Sequence, residues 1–289
     1  MISLVEPQKE DKTYLMKFNK LLAFVLSISL TAAAVPAARA GAQSADPVIG
    51  LSKLQSGIVT VTVPAASAKA PVRKLLVQKG GVKQYYTLSP ASKVNVLPLT
   101  SGSGDYKLAV YENVGGSSYK EVSSANANVK LATPFEPFLQ SVQPVNWNAT
   151  MAAVRKARQL TAGLKTNEQK AGAIYAYLAK RMKYDYKKAN GSLPSTYTPN
   201  VESTFLTAKG ICYDTSALYA AMLRSVGVPA KVAMGTAPNI KVYHAWNQVY
   251  LGSKGWVTMD VTVDSSYVQA GKAVTKYKKA SLYKVDKTV

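Results

Sequence analysis

The spacing of apolar residues changes character once along the chain, and that change limits the fold more than any single motif does. Between Asp46 and Leu131 the apolar runs are short and alternating or β-branched: Ile58 to Val63, Val72 to Gln78, Lys83 to Leu88, Val94 to Leu97, Tyr106 to Tyr111 and Tyr119 to Val122. Turn-forming stretches separate them, among them Lys79-Gly80-Gly81, Ser101 to Asp105 and Gly115-Gly116. Alternate side chains of a strand face opposite ways, so this pattern predicts six or seven strands and a small β-sandwich over 46–130. The region holds no cluster of catalytic residue types; it reads equally as an accessory binding module or as a structural spacer. A linker over 131–149 follows, with Pro134, Pro137 and Pro144. After it the period becomes helical. Met151 to Leu164 predicts one amphipathic helix. Asn167 to Lys183 predicts a second, opened by Thr166 and carrying Ile174, Tyr177, Leu178 and Met182 on one face. Asn190 to Thr198 is expected as a loop, and no internal repeat is visible.

Composition narrows the chemistry. The 289 residues include one cysteine and one histidine. A lone Cys forms no internal disulfide. One Cys with one His builds neither a zinc finger nor a cysteine-ligated iron–sulfur cluster, so no metal and no cofactor is expected. Thiol or imidazole chemistry therefore falls to Cys212 and His244.

The first forty residues read as a secretory signal rather than as part of the fold. Met16 to Lys20 supplies a basic start, Leu21 to Val35 an uncharged run, and Ala38-Arg39-Ala40 a small-x-small cleavage pattern. The run is about 15 residues against the roughly 20 that cross a bilayer, so no transmembrane anchor is expected in the mature chain. Glu6, Glu10 and Asp11 ahead of the basic start point to translation beginning at Met16. The full chain carries 36 basic and 15 acidic side chains, a net charge of +21, and loss of the first forty residues leaves +19. Most of that excess lies beyond residue 130. In a secreted protein it favours attraction to anionic cell-envelope polymers over nucleic acid, because no groove-reading helix or aromatic-interleaved basic motif accompanies it. A secreted, cell-wall-associated protein is the expectation.

The segment Gly210-Ile211-Cys212-Tyr213-Asp214 precedes a nearly uncharged helical run, Thr215 to Ser225, closed by Gly227 and Pro229. Cys212 is thus expected in the first turn of a buried helix. Unpaired N–H groups and the positive end of the helix dipole favour a thiolate at such a place, whereas a lone cysteine is more commonly inert and buried. Asp214 and Thr215 are read as capping residues. Two strand-like runs follow, Val242 to Leu251 and Trp256 to Val261, joined by Gly252-Ser253-Lys254-Gly255. A hairpin loop centred on Gly252 would set His244 directly opposite Asp260 on one face, so that the carboxylate holds one ring nitrogen and leaves the other for Cys212. His244 as an ordinary strand-face residue beside Trp246 is the competing reading.

The only Cys, the only His and an Asp in hairpin register form the Cys…His…Asp order of a papain-like thiol enzyme. The boxes Gly210-Ile211-Cys212, Leu223-Arg224-Ser225-Val226-Gly227-Val228-Pro229-Ala230-Lys231-Val232, His244-Ala245-Trp246-Asn247 and Gly255-Trp256-Val257-Thr258-Met259-Asp260-Val261-Thr262 resemble the transglutaminase-like superfamily over residues 150–265. The resemblance implies an α+β, papain-like core with the nucleophile helix packed on an antiparallel sheet. It implies Cys212 as nucleophile, His244 as general base and acid, and Asp260 as its orienting partner. The reaction would form a thioester from a protein or peptide carboxamide or peptide carbonyl, resolved by water or by an amine. The Cys212 backbone N–H is one expected oxyanion donor; a second is not assigned. Trp246 resembles the family's usual tryptophan and is a substrate-site candidate, with packing as its plainer role. Residues 266–289 read as a basic C-terminal extension packed on the core through Tyr267, Tyr277, Leu282 and Tyr283. A reading of another class is a non-catalytic protein that binds anionic envelope polymers through its basic surface and β-domain.

Overall fold

The computed structural model describes residues 46–63 and 71–289. The expected signal segment lies outside the described residues. Among those described, the amino-terminal region is all β: β1 (Val48–Gly50), β2 (Ile58–Thr62), β3 (Arg73–Lys79), β4 (Val82–Thr87), β5 (Val94–Pro98), β6 (Gly104–Gly115) and β7 (Ser118–Val129). They form two antiparallel sheets, ordered β1-β2-β5 and β4-β3-β6-β7. Val59, Val61 and Leu97 of the first sheet pack with Leu75, Leu108 and Val110 of the second in one core. The alternating runs supplied that inner face, as period-two burial requires.

Residues 131–149 are packed rather than loose. Phe138, Val142 and Val145 are buried, and the Gln143 N–H donates to Val96 O at 2.8 Å. The helical half then contains α1 (Ala152–Thr161), α2 (Asn167–Arg181), β8 (Lys183–Tyr184), α3 (Tyr186–Asn190), α4 (Val201–Thr207), β9 (Lys209–Gly210), α5 (Cys212–Arg224), β10 (Ala230–Thr236), β11 (His244–Tyr250), β12 (Trp256–Met259), α6 (Val261–Gln269) and β13 (Lys284–Thr288). The two expected helices are present. Their starts follow from local chemistry: Thr166 and Gln169 form a reciprocal capping box on α2, and both Glu202 oxygens accept from the Ala152 and Ala153 N–H groups at the start of α1. No helix among the described residues is long and apolar enough to cross a membrane.

The second sheet system is antiparallel, ordered β12-β11-β10-β13, with α5 lying against β10 and β11. The fold is therefore α+β, with an all-β region ahead of it. Residues 266–289, expected as a basic extension packed on the core, supply a strand of that sheet: β13 pairs with β10, and Val289 and Val232 exchange backbone hydrogen bonds at 2.9 Å. Its one apolar residue among charged and polar ones, Val285 in Lys284–Thr288, hid it from a reading based on apolar period. The hairpin register also differs from expectation. Asn247 pairs with Met259 and Tyr250 with Trp256, because a short 3-10 turn, Gly252–Lys254, centres the loop one residue later. His244 and Asp260 are diagonal rather than directly opposite.

Arg224 joins the layers. Its buried guanidinium donates to Ala230 O at 2.9 Å, Gln140 O at 3.0 Å and the Val289 main-chain oxygen at 3.0 Å. Arg224→Met removes three hydrogen bonds that join separate segments, and the unfolding free energy is expected to fall by about 3 kcal/mol in urea titrations; a change within experimental error would show that these bonds contribute nothing net.

Candidate active site

Three elements deliver the three residues. Cys212 is the first residue of α5 and is half-buried, while Asp214 to Arg224 behind it are all buried. His244 opens β11 and is 4% exposed. Asp260 ends the β12 run as the N-cap of α6 and is fully buried, its Oδ1 accepting from the Val263 N–H at 3.1 Å. His244 Nε2 lies 2.8 Å from Asp260 Oδ2, which leaves Nδ1 for the thiol of Cys212, near enough to bear on the charge of the imidazole. The diagonal register suffices because diagonal neighbours of an antiparallel pair remain within reach of long side chains.

Burial opposes the charged imidazole, but the hydrogen bonds with Asp260 and Cys212 and their Coulombic attraction outweigh it and hold His244 up at about 10. The arrangement is a thiol, an imidazole and a carboxylate in series at the open end of a buried helix. Such a series can deprotonate a thiol, keep the imidazole oriented and return a proton to a leaving group.

Trp246, the substrate-site candidate, is enclosed by its neighbours. It has no exposed surface, stacks on His244 with centroids 6.1 Å apart, and meets Tyr283 edge-on at 5.0 Å. It packs against the imidazole, the plainer of its two expected roles. Asp214 caps α5 by accepting from the Ile211 N–H at 3.0 Å, but it does more: Lys188 Nζ lies 2.8 Å from Oδ2, and Tyr197 donates to Oδ1. That ties the loop after α3 to the helix start. Gly210 must be glycine here, because a Cβ would come within 2.6 Å of the Asp214 Cβ. Thr215 is buried inside the first turn, its N–H bonded to Ile211 O.

The site contacts of two residues escape a sequence reading. Tyr184 lies level with Gly210 through the parallel β8–β9 bridge, and its hydroxyl is pushed well above its ordinary range by burial and then by the charge of nearby Cys212. Tyr283 donates to Asp260 Oδ2 at 3.2 Å. Neither has a local motif; both arrive through long-range pairing. Beside the site a cavity of about 330 Å³ is lined by Lys188 and Tyr197, the Asp214 partners, together with Asp185, Asn200 and Lys209.

Residues 154–261 match the model of the transglutaminase-like superfamily, and that span, with Cys212, His244 and Asp260 inside it, is a transglutaminase-like domain. Among solved structures the chain is similar to "a Putative Cysteine Protease from Cytophaga hutchinsonii", with 17% identity, 71% of each chain covered and a TM-score of 0.38. It is also similar to the periplasmic domain of TgpA from Pseudomonas aeruginosa bound to ethylmercury (14% identity, 74% of this chain and 97% of that one, TM-score 0.34). Red sea bream transglutaminase matches at 13% identity over 71% of this chain and 47% of that chain, with a TM-score of 0.32. No curated protein matches the sequence.

A histidine raised from 6.5 to about 10 contributes stability that is complete below pH 6.5 and is lost as pH rises through about 10. Asp260→Asn removes the main attraction, so the fall in unfolding free energy across that window is expected to flatten in the variant. Equal slopes for the two proteins would contradict the assignment.

Proposed function

We propose that the protein is a secreted thiol enzyme that forms a thioester at Cys212 with a protein or peptide carboxamide or peptide carbonyl. The observation that carries this reading is the meeting of the chain's only cysteine, its only histidine and the buried Asp260, with His244 Nε2 2.8 Å from the carboxylate. The Cys212 sulfur, its proton taken by His244, attacks the carbonyl carbon. The resulting oxyanion accepts from the Cys212 N–H, one of the first helical N–H groups that have no partner within the helix. Tyr184, beside the thiol, is the candidate for the second donor. His244 then protonates the departing amine or ammonia as the C–N bond breaks and the thioester remains. In the second half His244 takes a proton from water or from an incoming amine, which attacks the thioester and expels the thiolate. Water gives hydrolysis or deamidation, and an amine gives a cross-link.

The basic excess, 36 basic against 15 acidic side chains, supports a location at an anionic cell wall, where peptide substrates and wall polymers lie together. Long-range attraction of this kind weakens with salt, so retention on such polymers belongs to low ionic strength.

Incubation with a glutamine-containing peptide and a labelled primary amine, read by mass, distinguishes amine incorporation, ammonia release and backbone cleavage. Cys212→Ala is expected to abolish all three, and His244→Ala to slow alkylation of Cys212 near neutral pH. Alkylation at the rate of a free thiol, unchanged in the His244 variant, would overturn the enzyme reading. Tyr184→Phe is expected to lower the acylation rate by about tenfold or more without altering the alkylation rate of Cys212; an unchanged acylation rate would remove Tyr184 from the oxyanion site.

A further inference from the structure

The segment beyond α6 lies outside the span that matches the family model, yet it reaches the centre of the site. It is fastened at several points. Lys278 Nζ lies 2.5 Å from the buried Asp264 carboxylate, the Tyr277 hydroxyl donates to Glu168 at 2.6 Å, and the Lys278 N–H donates to Thr258 O at 2.8 Å. Its last part, β13, docks on β10 at a bulge between Met234 and Gly235. The approach there is unusually close: a Cβ on Gly235 would stand 2.0 Å from the Lys284 carbonyl oxygen. Gly235 is itself the cross-strand partner of His244. The glycine therefore lets the chain at Lys284 close tightly against β10, and the residue before it, Tyr283, falls onto Trp246 and Asp260.

Tyr283 is 9% exposed and packs with Ala233, Ala237 and Trp246 in a small second core on the histidine side of the sheet. Its ring meets Trp246 edge-on at 5.0 Å, and Trp246 in turn stacks on His244. Its hydroxyl donates at 3.2 Å to Asp260 Oδ2, the same oxygen that holds His244 Nε2 at 2.8 Å. One side chain thus touches the carboxylate by a hydrogen bond and the imidazole's supporting indole by packing.

We infer that Tyr283 is a positioning residue of this site: its hydroxyl shares the Asp260 oxygen that orients His244, and its ring holds Trp246 against the imidazole. This rests on the proposed role of the Cys212–His244–Asp260 series. The hydroxyl restrains the carboxylate against rotation about its Cβ–Cγ bond and takes up part of its negative charge. Without it the carboxylate keeps the Val263 N–H and His244 as its partners, its orientation is less firmly fixed, and its charge acts undivided on the imidazole. The other ionisable groups near His244 and Asp260 are Cys212 on α5, Tyr184 on β8, Tyr175 on α2, Asp264 on α6 and Lys278, which pairs with Asp264. All of them stay in place when only the Tyr283 hydroxyl is removed.

His244 is the only histidine in the chain, so the ring signals of a histidine-labelled sample belong to it alone. The test is Tyr283→Phe, which keeps the ring against Trp246 and the fold with it, followed by an NMR titration of His244 and by the rate of Cys212 alkylation. The expected result is an upward move of the His244 titration by about half to one pH unit, the size of one neutral hydrogen bond lost to the carboxylate. Alkylation at neutral pH is expected to slow several-fold as the imidazole loses its fixed orientation. A variant whose titration and alkylation rate superimpose on wild type, with only a lower melting temperature, overturns the inference and leaves Tyr283 as packing. Failure of the underlying reading is distinguishable. In that case wild type itself alkylates as a free thiol and His244 titrates near 6.5, its ordinary value.

Discussion

Eleven consecutive residues of α5, Asp214 to Arg224, are buried, and the surrounding architecture answers that demand. A surface helix needs one apolar stripe, whereas a helix enclosed on every side needs a complete shell. Here β10 and β11 form one wall, and α1, α2, α4 and α6 close the others. The shell leaves the first turn of α5 as its reachable end, and Cys212 stands there half-buried. The helix dipole and the unpartnered N–H groups act at that same end. The burial that stabilises the core thus also selects which residue of the helix can meet a substrate.

Around that end the protein repeats one electrostatic device. Asp214, Asp260 and Asp264 are all buried, and each is matched by a cationic or protonatable partner and a tyrosine hydroxyl. Asp214 has Lys188 and Tyr197, Asp260 has His244 and Tyr283, and Asp264 has Lys278 and Tyr175. Buried pairs of this kind seldom add much net stability, because desolvation offsets their attraction. What they supply is position. Between them they pin the loop after α3, the start of α6 and the carboxy-terminal segment to the neighbourhood of Cys212. The β-region is joined to the same assembly through Gln143 Nε2 to Thr87 O at 2.8 Å and Lys287 Nζ to Tyr85 O at 2.9 Å.

Much of this was legible in local pattern. The strands from Ile58 to Val129 followed from period-two alternation and glycine turns, and α2 and α5 from helical spacing with Thr166 at one start and Gly227 at one end. Scarcity made Cys212 and His244 stand out. The register of the β11–β12 hairpin did not follow, because the turn Gly252–Lys254 set its centre, and one residue of loop geometry moves every cross-strand pair. β10 and β13 were not visible as strands either; the first is a short mixed run, and the second has a single apolar residue among charged and polar ones.

Local grammar along the chain was enough to establish two structural regions, a buried helix opened by a cysteine, and a histidine and an aspartate within one hairpin. Those features depend on neighbours a few residues apart, so the order of residues carries them. Contacts between distant segments decided the rest. Tyr184 reaches Gly210 through a two-residue parallel bridge, and Tyr283 crosses to Asp260 only because β13 closes against Gly235. Trp246 packs into a second core with Ala233, Ala237 and Tyr283. Such placements are set by packing between segments far apart in sequence, and no periodicity within any one segment encodes them.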